Sequence, residues 1–168
     1  GVHAPLIARP LGIRLPIYPL KGYSLTLPVS GASPRISVTD FKRKVVYAPL
    51  ENAGVQELRV AGMADIAGYS MRIDPVRLAQ LVAETRGAFP NATDFGASPE
   101  RMQAWSGLRP ATPKGTPVLG KTRVSNLFLN CGQGALGWTL ALASGRVVAD
   151  AIEGRTAAIP IDGFVALG

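Results

Sequence analysis

Two stretches of the chain place groups capable of binding or chemistry where a fold could use them. The first is Asn130-Cys131-Gly132-Gln133-Gly134-Ala135-Leu136-Gly137-Trp138-Thr139. An apolar strand ends there, glycines free the backbone, and a helix begins. Such a turn presents unpaired N–H groups, and the helix dipole adds positive potential, so anions or electron-rich carbonyl oxygens bind at such places. A lone glycine turn is more often only a tight turn. It is not a dinucleotide fingerprint, because no G-x-G-x-x-G follows the strand with an acidic residue about 20 positions later. The second stretch is Gly107-Leu108-Arg109-Pro110. Arg109 closes an apolar strand and is held extended by Pro110. A cation on such a strand needs an anionic partner, because an unpaired buried charge is costly. The planar guanidinium matches a carboxylate. A substrate carboxylate and a structural ion pair meet that need equally well.

Other chemistries find little support. His3, the only histidine, lies near the N-terminus, which argues against a His-based triad or a His-rich metal site. Cys131 is the only cysteine and is expected to be a small buried filler, with a cofactor contact left open by its place before the turn. No carboxylate cluster has metal-ligand spacing. Tyr18, Tyr23, Tyr47 and Tyr69 read as core or surface residues rather than catalytic ones.

These groups need a scaffold, and composition supports one. A chain of 168 residues with 47% hydrophobic residues and a mean hydropathy of +0.20 can bury a core. No apolar run reaches the roughly 18 residues that span a bilayer. Gly1-Val2-His3-Ala4-Pro5 carries neither an initiator Met nor a signal pattern and reads as an internal start. A single Cys excludes an intramolecular disulfide and fits a reducing compartment. The net charge of +7 is spread along the chain. Its one tight cluster, Lys42-Arg43-Lys44 beside Phe41, reads as a solvated hairpin end. A weak membrane-surface role suits that cluster better than nucleic-acid binding, which is not expected.

The patterns predict an α+β chain. A short helix is expected over 4–9, then a strand from Tyr18 to Pro28 and a turn over 29–34. Strands at 45–50 and 57–63 flank a hairpin loop at 51–54, which suggests an antiparallel sheet. Asp74-Pro75 opens a helix. Leu78, Leu81, Val82 and Thr85 share one of its faces, and Gly87 is its expected stop. A strand at 102–108, a proline-rich loop and a strand at 126–131 follow. The longest helix runs from Leu136 to Ile152, closed by Gly154. Its small residues Ala141, Ala143, Ser144, Gly145 and Ala149 would let a backbone or a sheet approach closely.

Four of these segments, in order, resemble one family. They are Ile17 to Thr26 (IYPLKGYSLT), Val60 to Ile66 (VAGMADI), Gly107 to Pro117 (GLRPATPKGTP) and Asn126 to Thr139. Together they resemble the small subunit of D-amino-acid dehydrogenase, within the glycine/D-amino-acid oxidase superfamily, from about residue 1 to residue 154. The resemblance implies a mostly antiparallel substrate-domain sheet with flanking helices, and a C-terminal strand-turn-helix that belongs to an FAD domain. Residues 1–16 would be a connector from an FAD domain missing here, 17–106 the substrate sheet domain, and 107–168 the flavin-contacting strand-turn-helix and tail. FAD would be the cofactor. Arg109 would grip the substrate carboxylate. Gly132, Gln133, Gly134, Ala135, Leu136, Gly137, Trp138 and Thr139 would face the flavin rings, with Lys21 and Gly22 near the flavin edge. The implied reaction is oxidative deamination of a D-amino acid to a 2-oxo acid and ammonia, with electrons passing to a respiratory acceptor. It would take place in the cytoplasm or on the cytoplasmic face of a bacterial inner membrane. Two departures qualify this. The family usually has Gly-His-Gly where this chain has Gly132-Gln133-Gly134. The N-terminal half that would hold the ADP part of FAD is not in the chain, and a separate chain or segment would have to supply it. An inactive fragment is therefore one alternative. Another superfamily member, such as a glycine or sarcosine oxidase or a tRNA-modifying oxidase, is another.

Overall fold

The computed structural model describes residues 1–96, 102–161 and 163–164. The strand expected over 102–108 begins beside the segment 97–101, which lies outside the described residues. The fold is α+β. Helix α1 (Ala4–Ala8) continues as a 3-10 turn, Arg9–Leu11. Then come β1 (Tyr18–Pro28), β2 (Val38–Asp40), β3 (Val45–Asn52), β4 (Val55–Ile66), α2 (Pro75–Ala88), β5 (Gln103–Ala111), β6 (Val118–Lys121), β7 (Phe128–Cys131) and α3 (Gly137–Ile152). Strands β2-β3-β4-β1-β5 form one sheet in that order, and β6 and β7 form a separate two-stranded ribbon.

The chain divides into two compact units, Lys21–Gly107 on one side and Gly1–Leu20 with Leu108–Gly168 on the other. In the first, β3 and β4 pair antiparallel from Val45 opposite Gly62 to Asn52 opposite Val55. Alternation along the strands turns Tyr23, Leu25, Leu27, Val45, Tyr47, Leu58 and Val60 into one core. Helix α2 covers that core with Leu81 and Thr85, both fully buried, while Leu78 and Val82 pack beside them. All four expected face residues therefore point inward. Asp74 caps the helix by accepting from the Val76 N–H at 2.8 Å. Gly87, the expected stop, lies inside α2, which ends at Ala88 with Phe89 as its cap. Phe89 is held there by its ring, which meets Tyr47 edge-on at 5.0 Å.

Short elements depart from expectation. Strand β2 is only three residues long and pairs with β3 from Val38 opposite Tyr47 to Asp40 opposite Val45. Three residues carry too little alternation to be read. Met63 takes φ 64, so β4 kinks within Gly62-Met63-Ala64-Asp65. Beyond the kink Asp65 receives Arg77 of α2 through two bonds, of 3.1 and 2.5 Å.

In the second unit, β6 and β7 pair from Val118 opposite Cys131 to Lys121 opposite Phe128. With α1 and the segment after it they bury Ala8, Ile13, Leu15, Ile17, Val118, Leu129 and Cys131. Cys131 is buried filler, and burial pushes its thiol pKa up. Helix α3 packs on β6 and β7 with Ser144, Val147 and Asp150 on its buried face. Residues Gly134–Ile152 reach the length and mean hydropathy (1.2) of a membrane-crossing helix. Only part of this helix is buried, and its buried side carries Ser144, Val147 and Asp150. The Asp150 carboxylate is 2% exposed and lies between Arg146 at 3.0 Å and Arg155 at 2.8 Å.

Two predictions follow from this packing. Leu81→Ala empties the centre of the sheet–helix core and should cost about 2–5 kcal/mol in urea unfolding. The Arg155 and Arg146 guanidiniums hold the Asp150 carboxyl below its ordinary value. The stabilisation is then complete above the unfolded carboxylate pKa of about 3.9 and is lost as pH falls through the lower folded value. Melting temperature against pH should fall less steeply at acid pH in Asp150→Asn than in the parent chain.

Candidate active site

Gly132 leaves β7 with φ 81, in the left-handed region that favours glycine. A Cβ there would stand 2.8 Å from Thr112 Cγ2 and 3.6 Å from both Ile17 Cδ1 and the Val118 nitrogen. A side chain there would therefore crowd the Thr112 methyl as well as strain the backbone. Gly134 also takes a positive φ, 57. Gly134–Leu136 then form a 3-10 turn that runs directly into α3. No side chain caps this helix start, and no acidic residue occupies its first turn. Its N–H groups and dipole are left to whatever electron-rich group comes close. Ala135 to Thr139 are exposed, with Trp138 95% accessible. Gln133 turns back, its Nε2 donating to Asn130 Oδ1 at 2.6 Å.

Arg109 belongs to the same unit. It lies inside β5 rather than at its end, because the strand continues through Pro110 to Ala111. Strand β5 is the last strand of its sheet, a position that tolerates a residue without an N–H. Arg109 is half-buried, and burial lowers its pKa from the ordinary arginine value. A guanidinium remains cationic under any ordinary condition. The site thus presents a fixed, partly desolvated positive fork of the kind that binds a carboxylate.

The loop after β5 is folded tightly by Thr112, whose hydroxyl donates to the Thr116 carbonyl at 2.7 Å. Beside it is a cavity of about 170 Å³ lined by Pro16, Thr112, Lys114, Pro117, Val118 and Phe164, among others. Thr112 borders both this cavity and Gly132. Sequence reasoning missed Thr112, and likewise Asn130 as the partner of Gln133. The Thr112–Gly132 approach joins segments that no local pattern links, whereas Asn130 and Gln133 stand three residues apart within the turn.

In the other unit Lys21 is 4% exposed, with its ammonium donating to the Arg72 carbonyl and 5.2 Å from the Tyr23 ring. Gly22 is buried beside it. Gly107 has a structural reason of its own, since a Cβ would stand 2.0 Å from the Trp105 indole. Alternation along β5 puts residues 105 and 107 on one face, which was the available signal. Among the described residues no group of His, Cys, Asp and Glu side chains is placed to hold a metal ion.

The fold and sequence have close counterparts. Residues 1–151 match the family described as FAD dependent oxidoreductase (DAO). The chain is 47% identical over 166 residues to a D-amino acid dehydrogenase of Paramagnetospirillum magneticum, covering 98% of this chain and 37% of the relative. It is 47% identical over 159 residues to D-amino acid dehydrogenase 2 of Pseudomonas aeruginosa, covering 94% and 36%. Among solved structures, glycine oxidase from Geobacillus kaustophilus superposes with a TM-score of 0.82 at 22% identity, over 99% of this chain and 43% of that one. Iminodiacetate oxidase from Chelativorans sp. BNC1 gives 0.82 at 21%, over 100% and 45%. These structures show the fold, and the chain spans little more than a third of the curated relatives it matches. On the match over residues 1–151, the chain belongs to the DAO family of FAD-dependent oxidoreductases.

Proposed function

We propose that this chain is the substrate-clamping and flavin-facing part of a D-amino-acid dehydrogenase. The observation that carries the reading is the half-buried Arg109 in the same unit as the open turn from Gly132 to Thr139. The identity to named D-amino acid dehydrogenases over nearly the whole chain supports it.

The turn fits a flavin edge. The slot at Gly132 brings bare backbone close, and the uncapped start of α3 offers N–H groups to an electron-rich ring system. Gly132, Gln133, Gly134, Ala135, Leu136, Gly137, Trp138 and Thr139 would hold that edge. When bound, FAD supplies the two-electron acceptor that oxidises the amino acid to an imine, which water hydrolyses to the 2-oxo acid and ammonia. Arg109 receives the substrate carboxylate in a bidentate grip and fixes the orientation of Cα. The backbone N–H groups of the turn stabilise negative charge that develops in front of them, without reorganisation during the reaction. None of these roles needs a strong base, so positioning carries most of the work. Gln133, turned onto Asn130, brings no charge to the site. Electrons would leave for a respiratory acceptor. Residues 17–106 would serve as the substrate domain, and 107–168 as the return to the FAD domain.

A second reading rests on α3. Its outer side exposes Trp138 at 95%, Leu142 at 90% and Ile152 at 58%. Apolar residues at this spacing form a stripe on one side of a helix, and such stripes are normally covered. The curated relatives have nearly two thirds of their length outside the matched region. In this reading that further part of the family protein packs over the stripe and grips the remainder of FAD, and the 168 residues alone are inactive.

Three measurements test these readings. In a full-length enzyme made by joining this chain to the N-terminal part of the Paramagnetospirillum relative, Arg109→Ala should raise KM for D-amino acids by roughly 10–150-fold, the worth of a charged hydrogen-bonded pair. Unchanged substrate affinity refutes the clamp. In the same enzyme Gly132→Ala should lower the ratio of flavin to protein absorbance, and full flavin retention would refute the assignment of the turn. The 168-residue chain purified alone should be colourless, and yellow protein would refute the second reading.

A further inference from the structure

The loop between β2 and β3 contains none of the residues assigned a role so far. It consists of Phe41, Lys42, Arg43 and Lys44, and its placement is tightly fixed. The Arg43 backbone N–H donates to Asp40 Oδ1 at 2.9 Å, and its Nη1 reaches Asp40 Oδ2 at 2.7 Å. Its Nε pairs with Glu84 Oε2 at 2.7 Å, tying the loop to α2. Lys44 turns the chain with φ 58. Both carboxylates near the tip, Asp40 and Glu84, are therefore spent on Arg43. Lys42 and Lys44 are exposed and have no ion-pair partner among the described residues.

This rigid tip presents Phe41, which is 77% exposed. The Lys44 ammonium sits 5.8 Å from its ring centroid. A bulky aromatic held outward gains nothing from the core. Flanking lysines fit one kind of partner especially well. At the boundary between headgroups and acyl chains, a ring enters the apolar layer while ammonium groups reach the lipid phosphates. Anionic lipid adds attraction for each cation near the surface. A hairpin tip offers far less than the roughly 800 Å² per partner that a stable protein interface needs. The net charge of +7 favours the same encounter at longer range.

We propose that the β2–β3 loop is a peripheral anchor for an anionic lipid bilayer, with Phe41 as the inserted group and Lys42 and Lys44 as the phosphate contacts. Arg43 is the positioning residue that holds the tip in shape. Lipid binding stands independently of the dehydrogenase reading. Its use rests on that reading, since an enzyme that passes electrons to a respiratory acceptor has to work at a membrane surface.

Co-sedimentation with vesicles tests the anchor on the full 168-residue chain, with circular dichroism confirming that each variant folds. The chain should bind vesicles of equal parts phosphatidylglycerol and phosphatidylcholine, ignore phosphatidylcholine alone, and be released by salt. Phe41→Ser should lower the partition coefficient about tenfold, which corresponds to about 1.4 kcal/mol. Lys42→Ser and Lys44→Ser should each lower it about fivefold. Leu142→Ser, on the exposed side of α3, should leave it unchanged. Vesicle binding lost in Leu142→Ser but kept in Phe41→Ser overturns the proposal, because it places the lipid contact on α3. Equal binding to neutral vesicles overturns it as well. So does complete displacement from the vesicles by duplex DNA when DNA binding is indifferent to Phe41→Ser, because the cluster is then a nucleic-acid contact. Flavin content is read separately. Colourless chain that binds anionic vesicles leaves the anchor standing, and a yellow, active enzyme that ignores them removes it.

Discussion

The arrangement of the second unit depends on one close approach, the passage of bare backbone at Gly132 past Thr112, Ile17 and Val118. Three separate stretches meet there: the end of the N-terminal segment, the loop after β5 and the start of β6. The residue that follows β7 has to fit among them. A side chain at 132 would push the turn outward and carry the start of α3 with it. The missing Cβ therefore decides where the uncapped helix start points. The apolar residues around the slot make the constraint firm. Ile17, Val118, Leu129 and Cys131 beside it are buried, and the Thr112 methyl is the atom a Cβ would crowd.

The other unit is governed by ordinary sheet–helix packing. Its strands turn a continuous apolar face toward α2, and the fully buried Tyr47, Leu58, Val60 and Leu81 leave little slack. Polar contacts fasten the periphery. Asp65 with Arg77 joins the end of β4 to α2, and Arg43 with Glu84 joins the β2–β3 loop to the same helix. Surface ion pairs contribute little to stability. Their effect here is to fix orientation, so that a kinked strand end and a hairpin tip each hold one shape.

Long, strongly patterned elements were legible from the sequence. Tyr18–Pro28, α2 with its Asp74 cap, and α3 up to Gly154 all follow from period, capping and stop signals. The antiparallel pairing of β3 and β4 was readable from the turn signal between them. Elements of three or four residues were not. Strand β2 has no alternation to display, and β6 lies within a proline-rich stretch that reads as loop. The reach of β5 past Arg109 was missed because Pro110 reads as a terminator, whereas an edge strand tolerates it. Gly87 failed as a stop because the Tyr47–Phe89 contact carries the helix past it. At the candidate site the residue types and the turn were visible. Thr112 beside Gly132 was not, because a tertiary neighbour leaves no local spacing to read, and the short Asn130–Gln133 contact depends on the turn's exact shape. The resemblance of four ordered segments identified the family before geometry could, and the 47% identity extends over 166 residues.

The exposed groups divide by physical type, and that division says how the surface is used. Trp138, Leu142 and Ile152 line one side of a helix with small residues Gly145 and Ala149 between them. A broad apolar stripe with a shallow centre suits another layer of protein, because backbone can approach closely where side chains are small. Phe41 is different. It stands alone on a rigid tip, with ammonium groups in place of apolar neighbours. A ring flanked by ammonium groups is the type of surface that suits the boundary between acyl chains and lipid phosphates. Arg109 is a third type, a single fork half withdrawn from solvent, suited to one small anion. Helix face, hairpin tip and buried fork thus differ in physical type, as do the protein layer, the lipid surface and the carboxylate proposed for them.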